Sequence, residues 1–145
     1  GFGGSTLKAC RVYFKRVVVP LLPQTLLLYA GDNDIANGVS ETELVNEFIK
    51  MCDEVSEFLP NTKCFFISIK PSPSREHYLD TIQSVNNKIK NLSKKYTQWS
   101  YIDIHFLMLD KFGKPCRSLY GIDPLHMNSK GYKILKKSIK KHIIN

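Results

Sequence analysis

The segment Gln24-Thr25-Leu26-Leu27-Leu28-Tyr29-Ala30-Gly31-Asp32-Asn33-Asp34 decides the fold class of this chain. Its first seven residues form a short apolar run that ends at a glycine. Such a run predicts a strand buried on both faces, as in a parallel sheet. Polar residues follow at the carboxyl end of the strand, which is where open α/β sheets bind their ligands. We therefore expect a functional site around Asn33.

Two further apolar runs, Lys63–Ile69 and Trp99–Phe106, are predicted strands, and helical patterns separate all three. Strands that alternate with helices predict a parallel sheet covered on both sides, and hence a three-layer α/β fold. The predicted helices run from Ser5 or Thr6 to Pro20, from Ser40 to near Pro60, from about Ser74 to Tyr96, and from Asn128 or Ser129 onward. In the first helix we expect the buried side to be Leu7, Cys10, Val12, Tyr13, Phe14 and Val17.

The size and composition of the chain indicate one globular domain over residues 1–145, with 43% hydrophobic and 23% charged residues. No apolar run reaches the roughly 20 residues that span a bilayer. The net charge is +8, and lysines concentrate in the last predicted helix around an apolar stripe of Tyr132, Leu135, Ile139 and His142 or Ile143. This pattern favours a solvated helix face over a nucleic-acid site, because the basic residues are lysines rather than arginines and belong to no recognised nucleic-acid-binding module.

The cysteines at positions 10, 52, 64 and 116 show neither Cys-x-x-Cys pairs nor zinc-site spacing. We interpret Cys10, Cys52 and Cys64 as small buried hydrophobic residues rather than reactive thiols. Asp32 and Asp34 do not favour a magnesium site, because no phosphate-binding loop accompanies them. We therefore expect no metal and no organic cofactor.

The segment Gly121–Tyr132 places Asp123 three residues before His126, in a turn ahead of the last predicted helix. An aspartate at this spacing can hold a histidine in one tautomer and stabilise the imidazolium that forms when the ring takes a proton. The pair therefore predicts a general base with its orienting acid. The other histidines lack such a partner: we expect a structural role for His105 and surface positions for His77 and His142.

Two segments offer hydrogen-bond donors for a developing negative charge. Gly1–Gly4 leads into the first helix, and its backbone N–H groups either bind an anion or form a tight turn with positive φ. Asn33 carries an uncharged amide donor suited to an oxyanion hole, although asparagine also commonly supplies turns. Ser5 or Thr6 can cap the first helix, and we favour this role for Ser5 over that of a nucleophile.

Together these motifs resemble the SGNH hydrolase superfamily, also called GDSL-type esterases and acylhydrolases. Gly1–Thr6 looks like the family's second block, Gly31–Asp34 like its third, Gly-x-Asn-Asp, and Asp123–His126 like its fifth, Asp-x-x-His. The resemblance implies a flavodoxin-like parallel sheet. It also implies that Gly4, or its neighbour Gly3, and Asn33 donate to the oxyanion, and that His126 is the base with Asp123 as its orienting acid.

The chain differs from the family pattern at its N-terminal end. In the family the nucleophilic serine lies in a Gly-Asp-Ser or Gly-Ser-Ser block upstream of the glycine turn. The resemblance therefore implies that the serine and the first strands lie upstream of Gly1, and that the segment shown is inactive alone. The expected function is hydrolysis of a carboxylic ester, from a carbohydrate acetyl group or a short lipid acyl chain. The alternatives are an inactive relative that binds a glycan or another ligand, and a basic domain that binds polyanions.

Overall fold

A computed structural model describes residues 4–144, so Gly3, the alternative oxyanion donor, lies outside the described residues together with Gly1, Phe2 and Asn145. The described chain forms a parallel sheet of three strands in the order β1-β2-β3. The strands are β1 Thr25–Leu28, β2 Lys63–Ile67 and β3 Trp99–Ile102. Thr25 pairs with Lys63, and Cys64 pairs with Trp99. The predicted parallel α/β sheet is confirmed.

Helices connect and cover the strands as the sequence pattern predicts. They are α1 Leu7–Tyr13, α2 Asp32–Ala36, α3 Glu41–Phe58, α4 Leu79–Ser93 and α5 Ser129–Ile143. Ser40 and Glu43 form the capping box that begins α3, and the Asn128 side chain accepts the N–H groups of Lys130 and Gly131 at the start of α5. The helices α3 and α5 therefore begin where their capping residues predict. The helix α4 begins at Leu79 rather than at about Ser74, because a 3-10 segment occupies Pro73–Tyr78.

The alternation of side chains along β2 divides the core into two parts. Cys64 and Phe66 face α1, α3 and α4, where Phe48 packs edge-on against both Phe66 and Trp99. The side chains of Phe65 and Ile67 point to the opposite face, and Leu135 and Ile139 of α5 pack there. The sheet thus lies between two helical layers, which confirms the three-layer architecture.

Two predictions of burial are wrong. The strand β1 is not buried on both faces: Thr25 and Leu27 are exposed, Leu26 is half-buried, and only Leu28 is buried. In α1 and the π-helical turn after it, Leu7 and Phe14 are buried, whereas the expected core residues Val12, Tyr13 and Val17 are exposed. The unexpected exposure has the same cause in both elements: β1 is an edge strand of the described sheet, and α1 runs beside that edge.

An apolar groove lies between α1 and the edge of β1. Its cavity measures about 510 Å³, and it is lined mainly by apolar side chains that include Cys10, Tyr13, Phe14, Val17, Leu26 and Leu27. Among residues 4–144, β1 pairs with a strand on one side only. An edge strand beside apolar surface favours pairing with further extended chain.

The cysteines agree with their interpretation as apolar residues. Cys52 and Cys64 are buried, and burial raises the pKa of both thiols, to about 12 for Cys64. These thiols stay protonated at neutral pH and are poor nucleophiles. Cys10 is half-buried, and burial raises its pKa as well.

The last helix exposes more of its apolar stripe than expected. Leu135 and Ile139 pack on the core, but Tyr132 is 56% exposed and Ile143 is 38% exposed. Gly131 lies at the buried face instead, and a Cβ there would lie 2.6 Å from the carbonyl oxygen of Leu119. Within residues 4–144, none of the helices has both the length and the apolar character that crossing a membrane requires.

We predict that the groove beside β1 makes the isolated 145-residue chain bind hydrophobic dyes or self-associate. Leu27→Lys should reduce dye fluorescence and self-association, because a charge on an edge strand opposes pairing. Ile144→Lys is the control, since this exposed residue lies outside the groove. Dye fluorescence and light scattering measure the effect. A monodisperse monomer that binds no dye would contradict the prediction.

Candidate active site

The turn after β1 has a backbone that favours glycine. Gly31 has φ of 127°, and a Cβ at this position would lie 2.4 Å from Cδ1 of Ile69. Gly31 lies three residues after the end of β1 and is the N-cap of the short helix α2, which carries Asp32, Asn33 and Asp34. The glycine thus places three polar side chains at the carboxyl end of the sheet.

Asn33 lies next to the glycine turn that precedes α1. Its side-chain Nδ2 donates to the carbonyl oxygen of Ser5 at 3.1 Å. Gly4, which directly precedes Ser5, is exposed and has φ of 69°, in the left-handed region that favours glycine. The two residues assigned to the oxyanion hole are therefore held in neighbouring segments. The second N–H of the Asn33 amide is available to another acceptor.

Of the two predicted capping residues, Ser5 does not cap the first helix. Thr6 is the cap, and its hydroxyl accepts the N–H of Ala9 at 3.1 Å. The Ser5 side chain instead lies close to the thiol of Cys10 and lowers the pKa of that thiol against the larger effect of burial. Thr6 takes the capping position because α1 begins at Leu7, one residue later than a Ser5 cap requires.

Asp34 fixes the start of α1 from across the site. Its two carboxylate oxygens accept the N–H of Leu7 at 3.1 and 3.0 Å. Burial raises the pKa of this carboxyl group, although the Leu7 N–H lowers it. A buried acceptor at a helix N-terminus satisfies an otherwise unpaired donor. Sequence reasoning missed this contact, because nothing in the local pattern links residues 27 positions apart.

Asp32 forms a buried ion pair with Lys70, which lies three residues after the end of β2. Nζ of Lys70 lies 3.1 Å from Oδ2, and both side chains are less than a tenth exposed. The same carboxylate accepts the Tyr29 hydroxyl at 3.3 Å and the backbone N–H of Asn33 at 3.0 Å. Burial raises the pKa of Tyr29 well above its usual value, so this hydroxyl remains a donor. These contacts fix the backbone beside Asn33.

Asp123 and His126 are adjacent, as their spacing predicts. Oδ2 of Asp123 bonds Nδ1 of His126, and this hydrogen bond lowers the pKa of the Asp123 carboxyl group. The other carboxylate oxygen accepts the N–H of Leu125 at 2.7 Å. The carboxylate therefore orients the ring through Nδ1 and leaves Nε2 free to exchange a proton. Both side chains are more than half exposed.

The Asp123–His126 loop is tied to the loop that follows β2. The backbone N–H of Ser74 donates to the carbonyl oxygen of Pro124 at 3.3 Å, and the Tyr120 hydroxyl donates to the carbonyl of Pro71. Within the loop, the N–H of Gly121 donates to the carbonyl of His126 at 3.0 Å. Lys70, in the same loop after β2, contacts Asp32. The Asp123–His126 loop and the segment Gly31–Asp34 are therefore both attached to the chain that follows β2.

His105 is buried at the end of β3 rather than presented at the surface. Its Nδ1 lies 3.1 Å from the carbonyl oxygen of Ile69, so the proton resides on Nδ1. Asn86 of α4 bonds both backbone groups of Ile69 at 2.9 Å. These contacts support the structural role expected for His105. His77 and His142 are exposed, as predicted.

The described residues offer no site built for a metal. No group of three or more His, Cys, Asp or Glu side chains with suitable geometry occurs in residues 4–144. The carboxylates at the rim are committed to other partners: Asp32 to Lys70, Asp34 to Leu7 and Asp123 to His126.

The fold and the site define an α/β protein of the SGNH hydrolase type, with its polar groups at the carboxyl ends of parallel strands. The chain belongs to the GDSL-like lipase/acylhydrolase family, whose sequence profile matches residues 1–134. Members of this family hydrolyse acyl esters. A comparison with curated protein sequences found no match.

Solved structures share the fold at low sequence identity. A GDSL-like lipase from Bacteroides thetaiotaomicron is 23% identical with a TM-score of 0.84, and the match covers 97% of this chain and 72% of that one. The C-terminal domain of Drosophila Oskar is 18% identical with a TM-score of 0.84, covering 98% and 71%. A catalytic mutant of an acetylxylan esterase from Geobacillus stearothermophilus is 13% identical with a TM-score of 0.79, covering 95% and 67%.

We predict that His105 makes the fold less stable in mild acid. Burial lowers its pKa from the ordinary value of 6.5, so the unfolded chain binds a proton where the folded chain stays neutral. The free energy of unfolding should therefore fall below about pH 6.5, by up to about 1.4 kcal/mol per pH unit, until the folded-state pKa is reached.

His105→Gln should remove this part of the pH dependence, whereas exposed His77→Gln should leave it unchanged. Urea unfolding between about pH 7 and about pH 5 measures the difference. Equal pH slopes for the wild type and His105→Gln would contradict the prediction.

Proposed function

We propose that the complete protein is a serine hydrolase of carboxylic esters, with His126 as general base and Asp123 as its orienting acid. The observation that carries the proposal is the hydrogen bond from Asp123 to Nδ1 of His126 on an exposed loop. It leaves Nε2 as the free ring nitrogen, which is the atom that takes the proton from an attacking hydroxyl in a triad.

Gly4 and Asn33 stabilise the oxyanion of the tetrahedral intermediate in this proposal. Their neighbouring positions support the assignment, since Asn33 donates to the carbonyl of the residue that follows Gly4. An uncharged amide and a backbone N–H are the usual donors of an oxyanion hole. Neither group needs a metal ion or an organic cofactor to act.

The nucleophile in this proposal is a serine upstream of Gly1, not Ser5. Asn33 holds the carbonyl of Ser5 in the turn before α1, and the Ser5 side chain lies close to the Cys10 thiol. Neither contact supplies the general base that an attacking hydroxyl needs. Without an attacking oxygen, the isolated 145-residue chain should show little turnover of p-nitrophenyl acetate. Robust turnover that Ser5→Ala abolishes would reverse this assignment.

The substrate in this proposal is a short acyl ester of a lipid or a carbohydrate. Such an ester can reach the base from solvent, because the His126 side chain is 75% exposed. The alternative, a catalytically inactive relative that binds a glycan, requires the same fold but no activated serine.

The first test is labelling of the complete gene product with a fluorophosphonate, which reacts with an activated serine. We expect labelling that His126→Ala reduces by at least about three orders of magnitude in rate, because the base is lost. His142→Ala is the matched control, since His142 lies on α5 and bonds only the Ser138 carbonyl. Absence of labelling in the folded wild-type protein would favour the glycan-binding alternative.

The second test concerns the oxyanion hole. Asn33→Ala should lower kcat by about two to three orders of magnitude, because one oxyanion donor contributes about 3 kcal/mol. Asn37→Ala, at the exposed end of the same helix α2, should leave kcat unchanged. Steady-state ester hydrolysis measures both variants. An unchanged kcat in Asn33→Ala would remove this residue from the mechanism.

A further inference from the structure

Four large apolar side chains are exposed within one short segment between β3 and α5. Phe106 is 58% exposed, Leu107 56%, Phe112 76% and Ile122 102%. We call these four residues the rim patch, because their segment follows the carboxyl end of β3 and leads into the Asp123–His126 loop. Single exposed apolar residues are ordinary. The turn of Phe112 and the loop of Ile122 are, however, both attached to the segment Pro73–Tyr78, through the Lys114–Glu76 ion pair and through the Ser74 N–H on the Pro124 carbonyl, so these two exposed side chains lie in neighbouring parts of the surface.

Phe112 is held outward by a rigid turn. The N–H of Asp110 donates to the Lys114 carbonyl at 2.7 Å, and the Asp110 carboxylate accepts the N–H groups of Phe112 and Lys114 at 2.8 and 3.0 Å. The turn is anchored to the body of the protein by the Lys114–Glu76 ion pair at 3.0 Å. The exposure of Phe112 is therefore a property of the folded chain.

Ile122 is held in a similar way by an arginine. Nη1 of Arg117 donates to the Gly121 carbonyl at 2.7 Å, and Nη2 donates to the Ile122 carbonyl at 3.3 Å. The backbone of Ile122 is thus fixed while its side chain is fully exposed. The guanidinium, which carbonyls do not neutralise, lies beside an apolar side chain.

Cations lie beside two residues of the rim patch. Nζ of Lys111 lies 5.0 Å from the centre of the Phe112 ring, and the guanidinium of Arg117 donates to the Ile122 carbonyl. The start of α5 is attached to the same segment through Asn128, whose Nδ2 donates to the Ser118 carbonyl at 2.9 Å. That helix carries six lysines and no acidic residue. Three carboxylates lie in the same region, Asp110 in the turn, Glu76 paired with Lys114, and Asp123 bonded to His126. They are outnumbered by five cations of this segment and the start of α5, which are Lys111, Lys114, Arg117, Lys130 and Lys133.

We propose that the rim patch docks on the surface of an anionic phospholipid membrane. Phe112 and Ile122 enter the boundary between headgroups and acyl chains, while Lys111, Arg117 and the first lysines of α5 contact lipid phosphates. Exposed apolar side chains beside cations are the combination that binds such an interface. A soluble polyanion would use the cations but would gain nothing from the apolar side chains.

This inference is independent of the proposed function, because docking needs neither a nucleophile nor turnover. It uses residues outside the proposed catalytic groups. If both hold, a docked membrane lies against the loop that carries His126, since Ile122 directly precedes Asp123.

The test is co-sedimentation of the protein with vesicles of phosphatidylcholine, with and without phosphatidylserine. We expect binding to the anionic vesicles that weakens with salt. Phe112→Ser/Ile122→Ser should lower the partition coefficient by about tenfold or more, because two apolar side chains no longer enter the interface. Lys111→Gln should lower it by up to about fivefold.

The matched control is Leu21→Ser/Ile144→Ser, two side chains 74% and 73% exposed outside the rim patch. This control should bind like the wild type, and thermal unfolding should show that every variant is folded. The proposal is overturned by no binding of the wild type, by equal binding of the rim variant, or by loss of binding only in the control. Equal binding to neutral and anionic vesicles would also overturn it.

Discussion

The ion pair between Lys70 and Asp32 is the interaction on which the site depends. It joins the chain after β2 to the chain after β1 in a setting almost closed to water. Removing one partner of such a pair leaves an uncompensated buried charge, which costs about 3 to 5 kcal/mol. Asp32 also holds the backbone N–H of Asn33, so a change at Lys70 affects the geometry of the neighbouring amide.

The rest of the rim is assembled from contacts that start at these strand ends. On one side Asn33 and Asp34 hold the turn before α1 and the first N–H of that helix. On the other side the chain after β2 holds the loop that carries His126, through the carbonyls of Pro71 and Pro124. Groups far apart in sequence thereby share one edge of the sheet, which is the general location of ligand sites in parallel α/β folds.

Much of this arrangement could be predicted from the sequence, because its determinants are local. Apolar runs predict the strands, Ser40 and Glu43 predict the start of α3, and the spacing of Asp123 and His126 predicts their contact. The exposure of Val12 and Val17 could not be predicted. Helical periodicity identifies an apolar side but does not tell whether a neighbouring strand covers it. The Asn86–Ile69 and Asp34–Leu7 contacts likewise carry no local signal, since they join distant segments.

The all-parallel sheet also bears on how fast the chain folds. Each strand pairs with a partner about 35 to 40 residues away, with a helix between them, so no β-hairpin can form early as a local unit. The entropy cost of closing a large loop must be met before strand pairing contributes stabilising free energy. Such topologies are therefore among the slower-folding small proteins. The helices α3 and α4, which connect the strands, form from local hydrogen bonds and can therefore form before the strands pair.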